Sequence, residues 1–425
     1  MKPSSPPGDP AIRRVLFAAR SCYLDDSNGA AIASRTLMRA MARRGLAVEA
    51  LCGTMLDLRA TPDPSRWLEG RGDAFAEHGG TAWIVDVGGP RVETPRHFRL
   101  VTGGVPVTIH RGCDTRRRDP GPEERREFFD LLDGVLARFR PDVVISYGGL
   151  GREILRHARR CGSATAFHLH SLAYTDARDF DGADAVLAPS RFAAEHYRAA
   201  LGLSCIVIPN LVDLERVCVR RREPRYVTLV NPTSEKGGHA FARIAHHLGA
   251  TRPDIPFLAV ESRGTEHDLA RCGLDLRTHG NVRLMGHTTD PKAFWRVTRI
   301  CLVPSLVPET QGLVAVEAMV NGIPVVASDR GAMPETLGKA GLALPLPDRL
   351  IPPTRELPTP DEVAPWVETI VRLWDDAGFS AEQSRLALAE ARRWSPDVLE
   401  PRSEAFFREV RPGSSPFLAT GEPGA

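Results

Sequence analysis

The stretch Val303–Glu335 reads VPSLVPETQGLVAVEAMVNGIPVVASDRGAMPE. Its apolar runs and turn residues predict a strand that ends at Val303, a loop that carries Glu309, a helix that Gly312 opens, and then a second strand. The N-terminus of a helix offers N–H groups without partners and the positive end of the helix dipole, which together suit an anionic diphosphate. Glycine at this point lets the backbone approach such a ligand closely. The stretch therefore predicts an anion site at a strand-to-helix turn.

Two carboxylates accompany this turn, Glu309 in the loop and Glu317 in the helix. Carboxylates accept hydrogen bonds from paired hydroxyls, such as those of a sugar or a ribose. Two solvated glutamates would explain the spacing equally well if it stood alone. Because strand, loop, helix and strand surround them, we expect both glutamates to face one cavity and to bind hydroxyls.

Alternating strands and helices continue along the rest of the chain. Arg14–Ala19 and Leu46–Leu51 are predicted strands on either side of a helix at Gly29–Arg44, which is a βαβ unit and implies a parallel sheet. A charged stretch at Arg216–Glu223 precedes a second series that begins at Tyr226. We therefore expect an α/β fold in which two halves face each other across a cleft lined by the carboxyl ends of their strands.

The composition is that of an ordinary globular protein. The chain has 425 residues, of which 42% are hydrophobic and 25% charged, so we expect two or three domains. Lys and Arg number 55 and Asp and Glu 53, a net charge of +2, so nucleic acid is not an expected partner. Only four cations are lysines, which draws attention to Lys236 between a predicted strand and helix.

The eight cysteines are scattered and form no C-x-x-C pair, so neither a zinc site nor a thioredoxin-type motif is expected. Several of them lie in apolar runs, as small buried residues do, which in so large a chain is typical of a reducing compartment. The sequence shows no signal-peptide core and no apolar run of about 20 residues. We therefore expect a cytoplasmic protein.

Seven further stretches, taken with 303–335, resemble the retaining GT-B glycosyltransferases, specifically glycosyltransferase family 4 (glycosyl transferases group 1). The resemblance covers about Val15 to Glu335 and implies two Rossmann-like domains that face each other across a cleft. The stretches are SNGAA at Ser27, RPDVV at Arg140, FHLHSL at Phe167, APSRF at Ala188, IPNLVD at Ile208, NPTSEKG at Asn231 and NVRLMGH at Asn281.

The resemblance also implies the domain organisation. Residues 13–215 would form the N-terminal, acceptor-side domain, and 224–390 the C-terminal domain that binds the nucleotide sugar. A C-terminal helix within 391–411 would cross back to the N-terminal domain. The Pro-, Ser- and Gly-rich ends, 1–12 and 412–425, are expected to be flexible.

The resemblance assigns roles within the donor site. Glu309 would bind hydroxyls of the donor sugar, and Glu317 the ribose of the nucleotide. Backbone at Gly312, Leu313 and Val314 would contact the sugar or the diphosphate.

Lys236 would bind the diphosphate, since a compact ammonium at a strand-to-helix turn is a good phosphate partner. The alternative is an ordinary solvated lysine. The family usually has an arginine where this chain has Asn231, which can still donate a neutral hydrogen bond. We hypothesise that Arg263, in the following loop, supplies the missing charge.

Two positions in the first half complete the expected site. Gly29 would approach the diphosphate, although Asn28 replaces the first glycine of the family's pair and a simple turn is the alternative. His170 follows a predicted strand and would lie near the transferred sugar, whereas His168, on the same side of that strand, is expected to pack in the core. A packing role for His170 is the alternative. The expected catalytic residues are thus His170, Lys236 and Glu309.

These features predict a hexosyltransferase that moves a sugar from a nucleoside-diphosphate sugar to an acceptor hydroxyl with retention, without a cofactor or a metal. One alternative is a non-catalytic nucleotide-sugar-binding subunit, which Asn231 keeps open. Another is a sugar epimerase or phosphorylase on the same scaffold. Arginines along the predicted helix Leu150–Cys161 leave peripheral membrane contact open, but a solvated surface is the simpler interpretation.

Overall fold

Two β-sheets, one in each half of the chain, organise the fold. The computed structural model describes residues 13–58, 61, 63–71, 74–80, 94–354 and 356–417. We call residues 13–207 the N-lobe, 208–225 the connection and 226–391 the C-lobe. The predicted flexible segment 1–12, and the part 418–425 of the predicted tail, lie outside the described residues.

The N-lobe sheet joins nine strands within the described ranges and is mainly parallel. They are β1 Arg14–Ser21, β2 Ala47–Met55, β3 Phe75–Gly80, β4 Thr94–Thr102, β5 Val105–His110, β6 Val143–Ser146, β7 Ala164–His168, β8 Ala185–Ala188 and β9 Cys205–Val207. Their order is β3-β4-β5-β2-β1-β6-β7-β8-β9. The pairs β3–β4 and β4–β5 are antiparallel, and the other pairs are parallel.

The C-lobe sheet, as far as the structure describes it, has six strands and is entirely parallel. They are β10 Tyr226–Val230, β11 Phe257–Val260, β12 Val282–Met285, β13 Thr298–Val303, β14 Val325–Ser328 and β15 Gly341–Leu344. The order β12-β11-β10-β13-β14-β15 puts β10 beside β13, although two strands separate them in the sequence.

Helices connect most of these strands. They are α1 Gly29–Arg43, α2 Pro64–Arg71, α3 Pro122–Phe139, α4 Gly151–Arg160, α5 Arg191–Leu201, α6 Leu214–Val217, α7 Gly238–Thr251, α8 Glu266–Ala270, α9 Lys292–Trp295, α10 Leu313–Val320, α11 Met333–Leu337, α12 Pro360–Asp375, α13 Ala377–Ala391 and α14 Pro396–Glu409. Among the described residues, no helix is long and apolar enough to span a membrane.

The middle of the central strand β1, Val15–Ala19, is apolar because helices cover both faces of its sheet. Its residues Val15–Ala19 are at most 1% exposed. Successive side chains point to opposite faces, so Val15 and Phe17 pack in one core with residues of α1, whereas Leu16 and Ala18 pack in another with residues of α3 and α4. Because β1 runs parallel to its neighbours β2 and β6, the carboxyl ends of these strands, and the loops that follow them, lie at one edge of the sheet.

The C-terminal helix α14 leaves the C-lobe and packs against α1 of the N-lobe. Arg13 donates hydrogen bonds to the backbone oxygens of Phe407 and Val410, at 3.0 and 2.6 Å. Residues 412–417, part of the tail expected to be flexible, are also fixed to the N-lobe, because the Ser204 N–H donates to the oxygen of Pro416 at 2.6 Å. The described part of the tail therefore contacts the N-lobe, and its flexibility stays a prediction.

A carboxylate of the C-lobe caps the N-terminus of a helix in the N-lobe. Glu335 in α11 accepts hydrogen bonds from the backbone N–H groups of Arg191 and Phe192, both at 3.0 Å. These N–H groups open α5, where a helix has donors without internal partners and favours negative charge. The contact therefore joins the two lobes directly.

Candidate functional site

Loops after four neighbouring strands meet at one edge of the C-lobe sheet. Lys236 follows β10, Arg263 follows β11, Glu309 follows β13, and Gly331 follows β14. Because these strands are parallel and adjacent, their carboxyl ends share an edge, which is where ligands bind in open α/β sheets. Glu309 and Gly331 also form a parallel β-bridge, which extends the sheet into the loop.

Lys236 and Glu309 form an ion pair at this edge. The ammonium nitrogen Nζ of Lys236 lies 2.6 Å from Oε1 of Glu309, and the Ser305 hydroxyl donates to the same oxygen at 2.5 Å. Burial alone would raise the pKa of Glu309, but the charge of Lys236, the hydrogen bonds from Lys236 and Ser305, and the charge of Arg263 hold it below its usual range. Glu309 is therefore an ionised acceptor. An ammonium group has three N–H donors, and the pair with Glu309 uses only one of the three donors of Lys236.

The backbone before α10 has the geometry expected of an anion site. Gly312 has a φ of 78°, and a Cβ at this residue would lie 2.4 Å from Sδ of Met333. Glycine suits this left-handed backbone, and any larger residue would have to displace the Met333 side chain. The N–H groups of Leu313 and Val314 are the first of the helix and have no acceptor within it. Gly312, Leu313 and Val314 thus lie where the sequence predicted them.

Asn231 supports the loop that carries Arg263. Its φ is 63°, and its side-chain Oδ1 accepts a hydrogen bond from the Gly264 N–H at 2.8 Å. Arg263 itself is exposed, and its charge acts both on Glu309 in the C-lobe and on Asp57 in the N-lobe. Arg263 therefore lies within electrostatic reach of residues in both lobes.

Glu317 lies further along α10, in a separate buried polar group. Its Oε2 accepts a hydrogen bond from Nε1 of Trp295 at 3.1 Å. Burial raises the pKa of Glu317, although the charge of Arg216 and the Trp295 hydrogen bond oppose the shift. The two predicted glutamates thus have different partners, and the expectation that both face one cavity stays a prediction. Sequence reasoning missed Trp295 and Arg216, since they are distant in the chain and carry no motif.

On the N-lobe side, Asn28 caps α1. Its Oδ1 accepts from the N–H groups of Ala30 and Ala31, at 2.9 and 3.1 Å. The Ala30 N–H therefore already has an acceptor. Gly29 is exposed, and a Cβ on it would meet no atom within 4 Å, so open space adjoins it.

His170 lies just beyond the end of β7, beside the Glu309 loop. Its ring centroid is 4.0 Å from that of His168 and 5.0 Å from that of Tyr147. Burial and the neighbouring His168 place the pKa of His170 well below its usual range, and burial lowers the pKa of His168 to about 4. Both imidazoles are therefore neutral at pH 7. His168 is buried in the core, as expected, while His170 is partly exposed.

The two lobes meet at these residues. The Thr310 hydroxyl donates to the backbone oxygen of His170 at 3.3 Å, so the residue that follows Glu309 contacts the residue at the end of β7. The structure thus brings His170, Lys236 and Glu309 to one place. Within the described ranges, no group of three or more His, Cys, Asp or Glu residues could bind a metal ion.

The carboxylates of the first N-lobe loop are occupied by contacts within the lobe. Asp25 accepts hydrogen bonds from the N–H of Ser27 at 2.9 Å and from that of Asp57 at 2.8 Å. Asp26 pairs with Arg35 at 2.5 Å and with Arg71 at 2.9 Å. These two aspartates therefore shape the loop.

Two protein-family descriptions match complementary parts of the chain. Residues 27–216 match "Glycosyltransferase Family 4", and residues 226–376 match "Glycosyl transferases group 1". The first range contains His170, and the second contains Lys236 and Glu309.

The chain is also similar to an enzyme of named activity. The phosphatidyl-myo-inositol mannosyltransferase of Mycolicibacterium smegmatis is 33% identical over 174 residues. The match covers 38% of this chain and 44% of that enzyme, so it spans less than half of the mannosyltransferase.

Solved structures share the fold over nearly the whole chain. Sucrose-phosphate synthase from Thermosynechococcus elongatus has a TM-score of 0.66 at 16% identity, over 94% of this chain and 99% of that one. HepE from Anabaena, solved with UDP and glucose, has a TM-score of 0.59 at 16% identity, over 92% and 98%. At such identities the likeness concerns the fold alone. It confirms the α/β GT-B architecture with two Rossmann-like domains. The two matched ranges, which together span most of the chain, show that this chain belongs to glycosyltransferase family 4.

Proposed function

We propose that this protein transfers a hexosyl group from a nucleoside-diphosphate sugar to an acceptor hydroxyl, with retention at the anomeric carbon and without a metal ion. The observation that carries the proposal is the meeting of Lys236, Glu309 and the N-terminus of α10 beside His170. A cation and helix N–H groups suit a diphosphate, while the carboxylate and the imidazole suit sugar hydroxyls.

The diphosphate is the leaving group, and its negative charge grows as the bond to the sugar breaks. The Lys236 ammonium and the N–H groups of Leu313 and Val314 stabilise that charge. Arg263 adds a second cation where the family's usual arginine is replaced by Asn231. Since these donors are fixed before the reaction, they need little reorganisation when the bond breaks.

We propose that retention arises because the acceptor attacks on the face from which the diphosphate leaves, without a covalent nucleophile on the protein. Glu309 is paired with Lys236 and accepts a hydrogen bond from Ser305, so it acts as an acceptor for sugar hydroxyls rather than as a nucleophile. The positive, oxocarbenium-like sugar then forms beside the departing diphosphate. An acceptor hydroxyl attacks on the same face, and a phosphate oxygen takes its proton. His170, neutral at pH 7, offers the sugar a hydrogen bond without adding charge.

The similar proteins support a hexosyl donor. HepE was solved in complex with UDP-glucose, and the mycobacterial relative is named as a mannosyltransferase. Each of the two alternative functions predicts a different result. A non-catalytic subunit would bind the donor without turnover. An epimerase would consume the donor without an acceptor, and a phosphorylase would consume it only with phosphate. We also propose a cytoplasmic location, which the eight free thiols support.

The test is a screen of UDP-, GDP- and ADP-hexoses for release of the nucleoside diphosphate, with and without EDTA. We expect one donor to be turned over at a rate that EDTA leaves unchanged, and NMR of the product to show the anomeric configuration of the donor. Binding without turnover of any donor, an inverted product, or loss of activity in EDTA would each refute the matching part of the proposal.

A further inference from the structure

The buried side chain of Gln311 lies two residues after Glu309 and is 1% exposed. The N–H of Asn210 donates to its Oε1 at 2.8 Å, and its Nε2 donates to the backbone oxygen of Asn210 at 3.3 Å. The side-chain amide thus exchanges two hydrogen bonds with one residue, as a neighbouring strand does in an antiparallel pair.

These bonds join the Glu309 loop to the connection between the lobes. Asn210 lies three residues after β9, where the chain leaves the N-lobe sheet, and it too is buried. On its other side, the backbone oxygen of Gln311 accepts a hydrogen bond from the Thr336 hydroxyl in α11 at 2.5 Å. Gln311 is therefore fixed to the C-lobe through its backbone and to the connection through its side chain.

Thr310, the residue before Gln311, makes a second contact from the Glu309 loop, this time to the N-lobe. Thr310 donates to the backbone oxygen of His170, so consecutive residues of the loop bind the end of β7 and the connection. These bonds hold the backbone next to Glu309 against His170 and Asn210. Removing the Gln311 amide would leave two backbone groups of Asn210 buried without partners, a cost that loosening of the loop would relieve.

We propose that Gln311 is a positioning residue for the transfer, which fixes the Glu309 loop against the connection so that Glu309 and His170 bind opposite sides of one sugar. The inference rests on the proposed function of Glu309. Gln311 itself acts through Asn210 and the loop and does not contact the donor.

The test replaces Gln311 by methionine, which keeps the length of the side chain and removes both hydrogen bonds. The matched control is Gln383→Met, at another buried glutamine, on α13 outside the site. We measure kcat and KM with the donor found in the screen, binding of its nucleoside diphosphate, and thermal stability. For Gln311→Met we expect kcat to fall about tenfold or more, with the diphosphate affinity within about threefold of wild type. The control should alter stability only.

A second readout is independent of turnover. Hydrogen exchange of a peptide that contains Asn210 should quicken about tenfold in Gln311→Met, because the Asn210 N–H loses its acceptor, and should stay unchanged in Gln383→Met. Unchanged exchange at Asn210, or a fall in kcat that Gln383→Met reproduces at equal stability, would overturn the inference. If the wild type turns over no donor, the proposed function fails, while the exchange measurement still decides whether Gln311 fixes the loop.

Discussion

Substituting Glu309 by glutamine isolates the charge of the carboxylate. The side chain keeps its shape and one acceptor oxygen, but it loses the ion pair with Lys236, whose atoms are 2.6 Å apart with side chains 28% and 12% exposed. Hydrogen bonds to charged groups contribute about 1.5–3 kcal/mol. If that stabilisation is lost in the transition state, kcat falls about 10- to 150-fold, at about 1.4 kcal/mol per tenfold. Binding of the nucleoside diphosphate should stay equal or become tighter, because Lys236 then gives its whole charge to the phosphates.

The assay is steady-state release of the nucleoside diphosphate, combined with calorimetric titration of the diphosphate alone. Glu382→Gln is the control, since Glu382 is an exposed carboxylate on α13 that is also paired with an arginine. It should behave as wild type in both assays. Wild-type kcat in Glu309→Gln, or a collapse of diphosphate binding, would refute the reasoning.

Three further predictions concern contacts around the site. Glu335→Ala removes the acceptor at the start of α5 and should lower the free energy of unfolding by about 1 kcal/mol, seen as a lower urea midpoint; an unchanged midpoint contradicts the contact. Trp295→Phe removes the hydrogen bond that Trp295 donates to Glu317. It should raise the donor KM roughly fivefold with kcat nearly constant, as measured by initial-rate kinetics. Burial lowers the pKa of His168 from 6.5 to about 4, so the unfolded chain binds that proton first as the pH falls. The contribution of neutral His168 to the free energy of unfolding is fully present above pH 6.5 and should fall towards pH 4 by up to about 3 kcal/mol. Urea unfolding at pH 7 and at pH 4.5 should show a smaller loss of stability in His168→Asn than in the wild type.

Local patterns were sufficient to predict the elements that carry the site. The turn at Gly312 shows in the sequence because an apolar strand, a glycine and an apolar helix follow one another within a few residues. Lys236 also stands out locally, since it precedes a glycine between a strand and a helix. The short strand β15 and helix α11 were not predicted from the sequence.

These local patterns do not predict contacts between residues that are distant in the sequence. That Lys236 meets Glu309 depends on β10 lying beside β13, an order that no spacing in the sequence reveals. The same holds for Gln311, whose partner Asn210 is about a hundred residues away. Asn231 was expected to contact the donor, whereas its side-chain oxygen supports the Gly264 loop, a role set by its left-handed backbone. Whether it also contacts a donor stays a prediction.

The central claim is that a diphosphate binds between Lys236 and the N-terminus of α10. A crystal structure of the protein with the nucleoside diphosphate from the donor screen tests it most directly. The account predicts phosphate oxygens within hydrogen-bond distance of Lys236 Nζ and of the Leu313 or Val314 N–H, with Glu309 and His170 facing the space where the sugar would continue. A diphosphate bound at another surface, with Lys236 still paired only to Glu309, would contradict it.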